Sequence, residues 1–197
     1  MKRTFVPLAV AAAFCVTALQ PARAQAGSNL VIAGESIGQI HLGRYGAASL
    51  AKLPKPDADD SGMGQYRSVW LSRKPGGRTD TLFIHSVSNS PREIKPTGGV
   101  SIKLIRVTSP WYRTPDGLST GSVLVQILRR FPGARPKSDN QSLYDDVKRG
   151  ITFEFAGRAT SNSPCIAIMV HPATDENAQL ETDQQVHDLL RSNGLKP

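Results

Sequence analysis

Gly34-Glu35-Ser36-Ile37-Gly38 reproduces G-x-S-x-G, the pattern in which a serine held on a sharp strand-to-helix turn exposes its hydroxyl for attack. Residues 29–33 read as the strand before it, but Gln39-Ile40-His41-Leu42-Gly43 does not read as the helix that must follow. A hydrolase using Ser36 with one of the histidines is therefore the alternative function. Asp57-x-Asp59-x-Ser61-Gly62 imitates the first half of a calcium loop, where oxygens at alternate positions converge and glycine allows the turn. Ser68 stands at the twelfth position, where a bidentate glutamate is required, and Pro54 and Pro56 break the incoming helix, so a solvated acidic turn is expected. His41, His85, His171 and His187 lack every H-x-H, H-x-x-x-H and H-E-x-x-H spacing, although His85 and His171 end equivalent predicted strands. No metal and no cofactor are expected. Walker, G-x-G-x-x-G and RNA-binding aromatic motifs are missing as well, so no nucleic-acid partner is expected.

The chemistry that remains is recognition. Ser109-Pro110-Trp111-Tyr112-Arg113-Thr114-Pro115 sets Trp, Tyr and Arg side by side in a proline-bounded loop, and these residue types dominate binding hot spots. Trp111, Tyr112 and Arg113 are the candidate partner-binding residues, with plugging a junction between structural units as the competing role. Arg73-Lys74-Pro75-Gly76-Gly77-Arg78 reads as a basic hairpin tip that meets solvent.

The elements that position this loop come in two similar series. An offset of 78 residues aligns residues 38–54 with 116–132, so that Gly43 meets Gly121, Leu50 meets Leu128 and Pro54 meets Pro132. Each block runs on into a polar loop, a tyrosine (Tyr66, Tyr144) and two strand-like runs, residues 68–72 and 81–87 in the first series, 151–155 and 165–170 in the second. Ser122 reads as the cap of a helix whose Leu124, Ile127, Leu128 and Phe131 form one apolar stripe. The counterpart at 45–53 is weaker and alanine-rich. Residues 151–155 alternate with a period of two, which predicts a half-buried strand, and residues 100–108 predict a bridging strand with Ile102, Leu104 and Arg106 on one face. Val69 and Leu71 share a face and Trp70 takes the other. Thr182 with Gln185 forms a capping box for a closing helix that buries Val186, Leu189 and Leu190 and stops at Asn193-Gly194.

The expected fold is thus α+β: two tandem units, each a short helix packed on antiparallel strands, with a C-terminal helix. The units span residues 27–99, linker included, and 100–197. This arrangement resembles the beta-lactamase inhibitory protein, and each unit resembles the small outer-membrane lipoproteins of the barrel-assembly machinery. The resemblance is carried by the Ile40-His41-Leu42-Gly43 and Gly117-Leu118-Ser119-Thr120-Gly121 entries, the helices ending in Leu-Pro or Phe-Pro, and the strands that follow. It implies the architecture and non-enzymatic protein binding, and no site residue.

Residues 1–26 carry the features of a secretory leader: Lys2 and Arg3, an apolar run over residues 8–19, Pro21, and overlapping A-x-A sites at Ala22-Arg23-Ala24 and Ala24-Gln25-Ala26. The run is too short to span a bilayer, and Ala12 and Phe14 do not fit a lipobox at Cys15, so no membrane anchor is expected after cleavage. Removing Lys2, Arg3 and Arg23 lowers the formal charge from +8 to +5 and leaves Cys165 as the one thiol, placed in an apolar strand where it is expected to be buried and inert. The hydrophobic share of 39% supports a packed core without a disulfide. These features together predict a periplasmic or secreted binding module whose partner is an envelope or extracellular protein.

Overall fold

A computed structural model describes residues 29–44, 46–73, 79–89, 99–137, 139 and 141–196. The predicted leader, positions 74–78 of the basic tip and positions 90–98 of the linker lie outside these residues. The chain opens with a three-stranded antiparallel meander, β1 (Val31–Ile32), β2 (Ser36–Ile37) and β3 (Ile40–His41), followed by the short helix α1 (Gly46–Leu50). Four strands come next, β4 (Ala58–Gly62), β5 (Gln65–Arg73), β6 (Thr79–Ser88) and β7 (Val100–Val107), and then α2 (Leu124–Arg130). Four more, β8 (Arg135–Pro136), β9 (Leu143–Asp146), β10 (Ile151–Phe155) and β11 (Cys165–Val170), precede α3 (Asp183–Ser192). All eight join one antiparallel sheet in the order β4-β5-β6-β7-β11-β10-β9-β8. The protein is α+β. No helix among the described residues is long and apolar enough to cross a membrane.

Side chains alternate across this sheet and fill two cores. One face, with α1, α2 and the meander, buries Ile84, Ile105, Val107, Ile127, Phe131, Ile151, Phe153 and Ile168. The other, under α3, buries Ala58, Val69, Phe83, Leu104 and Met169 against Val186, Leu189 and Leu190. Each such aliphatic side chain withdrawn from water contributes roughly 1.5–3 kcal/mol, so three from one short helix are enough to dock it. The capping box of α3 forms as the sequence predicts, with Thr182 N–H donating to Gln185 Oε1 at 2.9 Å and the Thr182 side chain accepting from Gln185 N–H.

Four local expectations change. In β7, Ile102 and Leu104 lie in opposite cores, because a bulge leaves Lys103 unpaired while His85 faces Leu104 and Ser86 faces Ile102, and one extra residue reverses the alternation. β10 is buried on both faces rather than one: Thr152 donates to Asp145 Oδ1 at 3.0 Å, and Glu154 Oε1 accepts from Asp183 N–H at the start of α3. The N-cap of α2 is Val123, not Ser122. Its first free N–H groups go to loop carbonyls instead, Leu124 N–H to Ser163 O at 3.1 Å and Val125 N–H to Ser161 O at 3.0 Å, while Ser122 Oγ accepts from Ser119 N–H. The acidic segment at 57–62 is no turn: residues 58–62 form β4, joined to β5 by the two-residue loop Met63-Gly64, both with positive φ (51° and 75°), as the tight hairpin twist demands.

Candidate binding cleft

β5 and β6 pair with Trp70 opposite Leu82 and Ser72 opposite Asp80, so these four positions share one stretch of the sheet. Above it runs the chain after β7. Its start is fastened by Thr81 N–H donating to Thr108 Oγ1 at 2.7 Å and Thr108 N–H to Thr81 O at 3.1 Å. Its middle is held by the N-terminal segment: Arg113 N–H donates to Asn29 O, Val31 N–H to Arg113 O, and Asn29 Nδ2 to Trp111 O. Hydrogen bonds from both sides thus fix the backbone at 111–113.

The space between loop and sheet is a cleft of about 440 Å³ lined by Trp70, Ser72, Asp80, Leu82, Trp111 and Tyr112, among others. Trp111 and Tyr112 meet edge to face, ring centroids 5.1 Å apart at 72°. Trp111 is 52% exposed, whereas Tyr112 packs partly on the first core, where burial pushes its phenol above its ordinary pKa. Trp70 donates its indole N–H to Pro54 O at 2.8 Å, which fixes the ring as a wall. The structure therefore brings Trp111 and Tyr112 together, with Trp111 outside the core. Arg113 is exposed and does not line the cleft. Trp70 joins the site without having been singled out as a binding residue. The signal was its placement opposite Val69 and Leu71, but which loop that face would meet depends on the fold. The lining combines the aromatic and apolar side chains of Trp70, Leu71, Leu82, Trp111 and Tyr112 with the polar groups of Ser72, Asp80, Thr81 and Ser109.

The other sequence candidates take structural roles. Ser36 is 3% exposed in β2, is followed by β3 rather than a helix, and makes no hydrogen bond to a histidine among the described residues, although His41 is its cross-strand neighbour. The elbow is not built. Asp57 Oδ2 accepts from Leu71 N–H at 2.8 Å, and Asp59 and Asp60 are exposed along the edge strand β4. Among the described residues no three His, Cys, Asp or Glu side chains gather into a metal-binding group. Cys165 is buried, donates to Ala167 O at 3.0 Å, and has its thiol pushed up to about 12 by burial, so it is not nucleophilic at neutral pH.

His85 and His171 do not form a pair, because β7 runs between their strands, and His85 sits inside β6 rather than at its end. His171 is wholly buried, its Nε2 3.0 Å from Asp145 Oδ1 and its Nδ1 3.1 Å from Pro172 O. Burial pushes the Asp145 carboxyl up, but the His171 and Thr152 hydrogen bonds and the Lys137 ammonium outweigh it and leave the pKa below its ordinary value. His85 is buried with no hydrogen-bond partner for either ring nitrogen among the described residues. Burial, then the charges of Arg67 and Lys103, lower its pKa from 6.5. The unfolded chain then takes up a proton below pH 6.5 that the folded one resists, so the contribution of His85 to folding stability is full above this pH and is lost as the pH drops through it. His85→Leu is expected to flatten that fall. Urea midpoints measured at mildly acidic and neutral pH test it, and equal pH slopes for both proteins would refute it.

The fold and the cleft define an α+β protein with a continuous eight-stranded antiparallel sheet and a preformed aromatic cleft at the loop following its fourth strand. No family model and no curated protein matches the sequence. Among solved structures, the chain is similar to the crystal structure of the uncharacterized protein yfeY from Escherichia coli, with a TM-score of 0.38 and 11% identity over 71% of this chain and 98% of that one. So distant a likeness transfers no role.

Proposed function

We propose that the protein is an exported, non-enzymatic protein-binding module of the cell envelope, made of two related units and gripping its partner at the cleft framed by Trp111 and Tyr112. The observation that carries this reading is Trp111 itself, a large aromatic left 52% exposed at the mouth of a cleft whose backbone is already fixed. A rigid ring loses little entropy on binding, which is why such residues anchor interfaces. Arg113, exposed beside it, supplies a charge at the rim. Export rests on the leader features of residues 1–26.

The two-unit reading is supported by strand order. Each helix, α1 and α2, is followed by four strands, and the two sets fill the two halves of the sheet in mirrored order. Gly43 and Gly121, the glycines matched at the 78-residue offset, both have positive φ (76° and 91°), and each donates its N–H near the start of its set's last strand, to Ile102 O and Cys165 O. On this reading β7 closes the first unit, and the boundary falls after it rather than at residue 100. Two such units are also what the resemblance to the beta-lactamase inhibitory protein and the assembly lipoproteins implies.

The mismatch at that offset, Ala33-Gly34-Glu35 against Trp111-Tyr112-Arg113, has a reason on each side. A Cβ on Gly34 would stand 2.7 Å from Arg149 O, so the first copy must be small where it touches the sheet's far half. In the second copy Trp111 and Arg113 face solvent while Tyr112 fills space against the first core, so large side chains are accommodated. Trp111→Ala is therefore expected to fold with an unchanged urea midpoint and to weaken partner binding by about 2 kcal/mol or more. A large fall in the midpoint would return Trp111 to a packing role, and full binding would remove the cleft from the interface.

A further inference from the structure

Away from the cleft, at the β8 edge of the sheet, six basic residues fall between positions 129 and 149: Arg129, Arg130, Arg135, Lys137, Lys148 and Arg149. All six are exposed. The same stretch holds three acids, of which Asp145 and Asp146 are buried and Asp139 is exposed. The fold gathers the bases from three places, the last turn of α2, the strand β8 with the residue after it, and the turn between β9 and β10. Arg149 ties the β9–β10 turn to the end of α2. Its Nη1 donates to Arg130 O at 2.9 Å, its guanidinium lies 5.1 Å over the Phe131 ring, and its Nε is 3.8 Å from Asp146.

The buried acids are occupied. Asp145 is shared by His171 and Lys137, and Asp146 is taken by Arg149. Among the described residues Arg135 bonds only main-chain oxygens, those of Pro132 and Ala134, and neither Arg129, Arg130 nor Lys148 has a carboxylate partner. Part of this charge suits the helix, since Arg129 and Arg130 stand in the last turn of α2 beside its negative dipole end. Lys148 and Arg135 lie outside the helix and gain nothing from it. Val125, one of the few exposed large apolar side chains among the described residues, is one turn before Arg129 on α2.

We propose that this edge docks on a bilayer surface carrying anionic phosphate headgroups, with the bases meeting phosphate and Val125 resting at the interface. Uncompensated bases beside a solvent-facing apolar residue fit a charged lipid surface better than a soluble polyanion, which gives Val125 no role. Each base near such a surface strengthens binding several-fold, and salt screens the effect.

The test is co-sedimentation of the full chain, freed of residues 1–26, with phosphatidylcholine vesicles containing about a third phosphatidylglycerol, against phosphatidylcholine alone. Binding is expected for the anionic vesicles only, and it should be lost at high salt. Arg129→Glu, Arg130→Glu and Lys148→Glu together should reduce it more than about tenfold. Reversing Arg44, Lys52 and Lys55, which are exposed elsewhere, changes the net charge equally and should leave most of the binding. Equal losses from both triple variants would reduce the effect to net charge and overturn the proposal, as would capture of soluble polyphosphate without any binding to vesicles. Melting curves check folding, and if the first triple variant does not fold, Arg129→Glu and Lys148→Glu singly must each weaken vesicle binding.

Discussion

Arg106→Ala is expected to cost about 3–5 kcal/mol of folding free energy, because it strips the counter-charge from a carboxylate inside the protein. Arg106 has no exposed surface and Glu154 is 4% exposed. The guanidinium donates to Glu154 Oε2 through Nε at 3.0 Å and Nη2 at 2.8 Å, and Nη2 also reaches Asp183 Oδ1 at 2.9 Å. The other oxygen, Glu154 Oε1, accepts the Asp183 N–H at 2.6 Å and so completes the first turn of α3. One ion cluster thereby joins β7, β10 and α3, across the line where the two halves of the sheet meet. Removing the arginine leaves Glu154 buried and unpaired, so it must take a proton or draw water in. Replacing the arginine and Glu154 together by apolar residues of similar volume should recover most of the loss, as buried ion pairs often allow. Urea unfolding measures both variants. A loss under about 1 kcal/mol for Arg106→Ala would show that the cluster is solvated and peripheral.

Gly150→Ala is expected to be comparably damaging through sterics alone. Gly150 has φ of 71°, and a Cβ there would collide with His171 O and stand 2.9 Å from both Ala173 N and the Cα of Gly34. All three are main-chain atoms, so no rotamer change relieves them. The left-handed conformation itself costs an L residue roughly 1–2 kcal/mol, and displacing the backbone adds to this, for a total on the order of 3 kcal/mol or more. Gly121→Ala is the control: φ there is 91°, but nothing lies within 4 Å of the added carbon, so only the conformational cost applies. The consequence should reach the cleft. Gly150 O accepts from Gly34 N–H at 3.1 Å, and the meander seated there is continuous with the segment that bonds to Arg113 and Trp111. On the proposed reading, a Gly150→Ala protein that folds should therefore bind its partner more weakly although it keeps Trp111. Equal midpoints for Gly150→Ala and Gly121→Ala would show that the close approach is easily relieved.

Local physics was legible in the sequence wherever a pattern needed only its own neighbours. The capping box at Thr182 and Gln185, the apolar stripe Leu124, Ile127 and Phe131, and the opposite facing of Trp70 and Val69 all follow from the periods of helix and strand, and the structure shows each of them. The proline-bounded run that sets Trp111 beside Tyr112 is likewise a feature of the sequence, and both residues line the cleft. The fold decided what depends on contacts far along the chain. Ser122 lost its cap because residues 161–163 supplied carbonyls, and the faces of β7 switched at a bulge that pairing with β6 defines. Glu154, read as a solvent-facing residue of a half-buried strand, became the buried partner of Arg106, because only the return of a helix from residues 183–192 closes that face. The cleft has the same origin. A sequence shows that Trp70 and Trp111 are large and aromatic, but the hydrogen bonds that set one beside the other join residues 29–31 to 111–113 and 81 to 108, and separations that long leave no periodic trace.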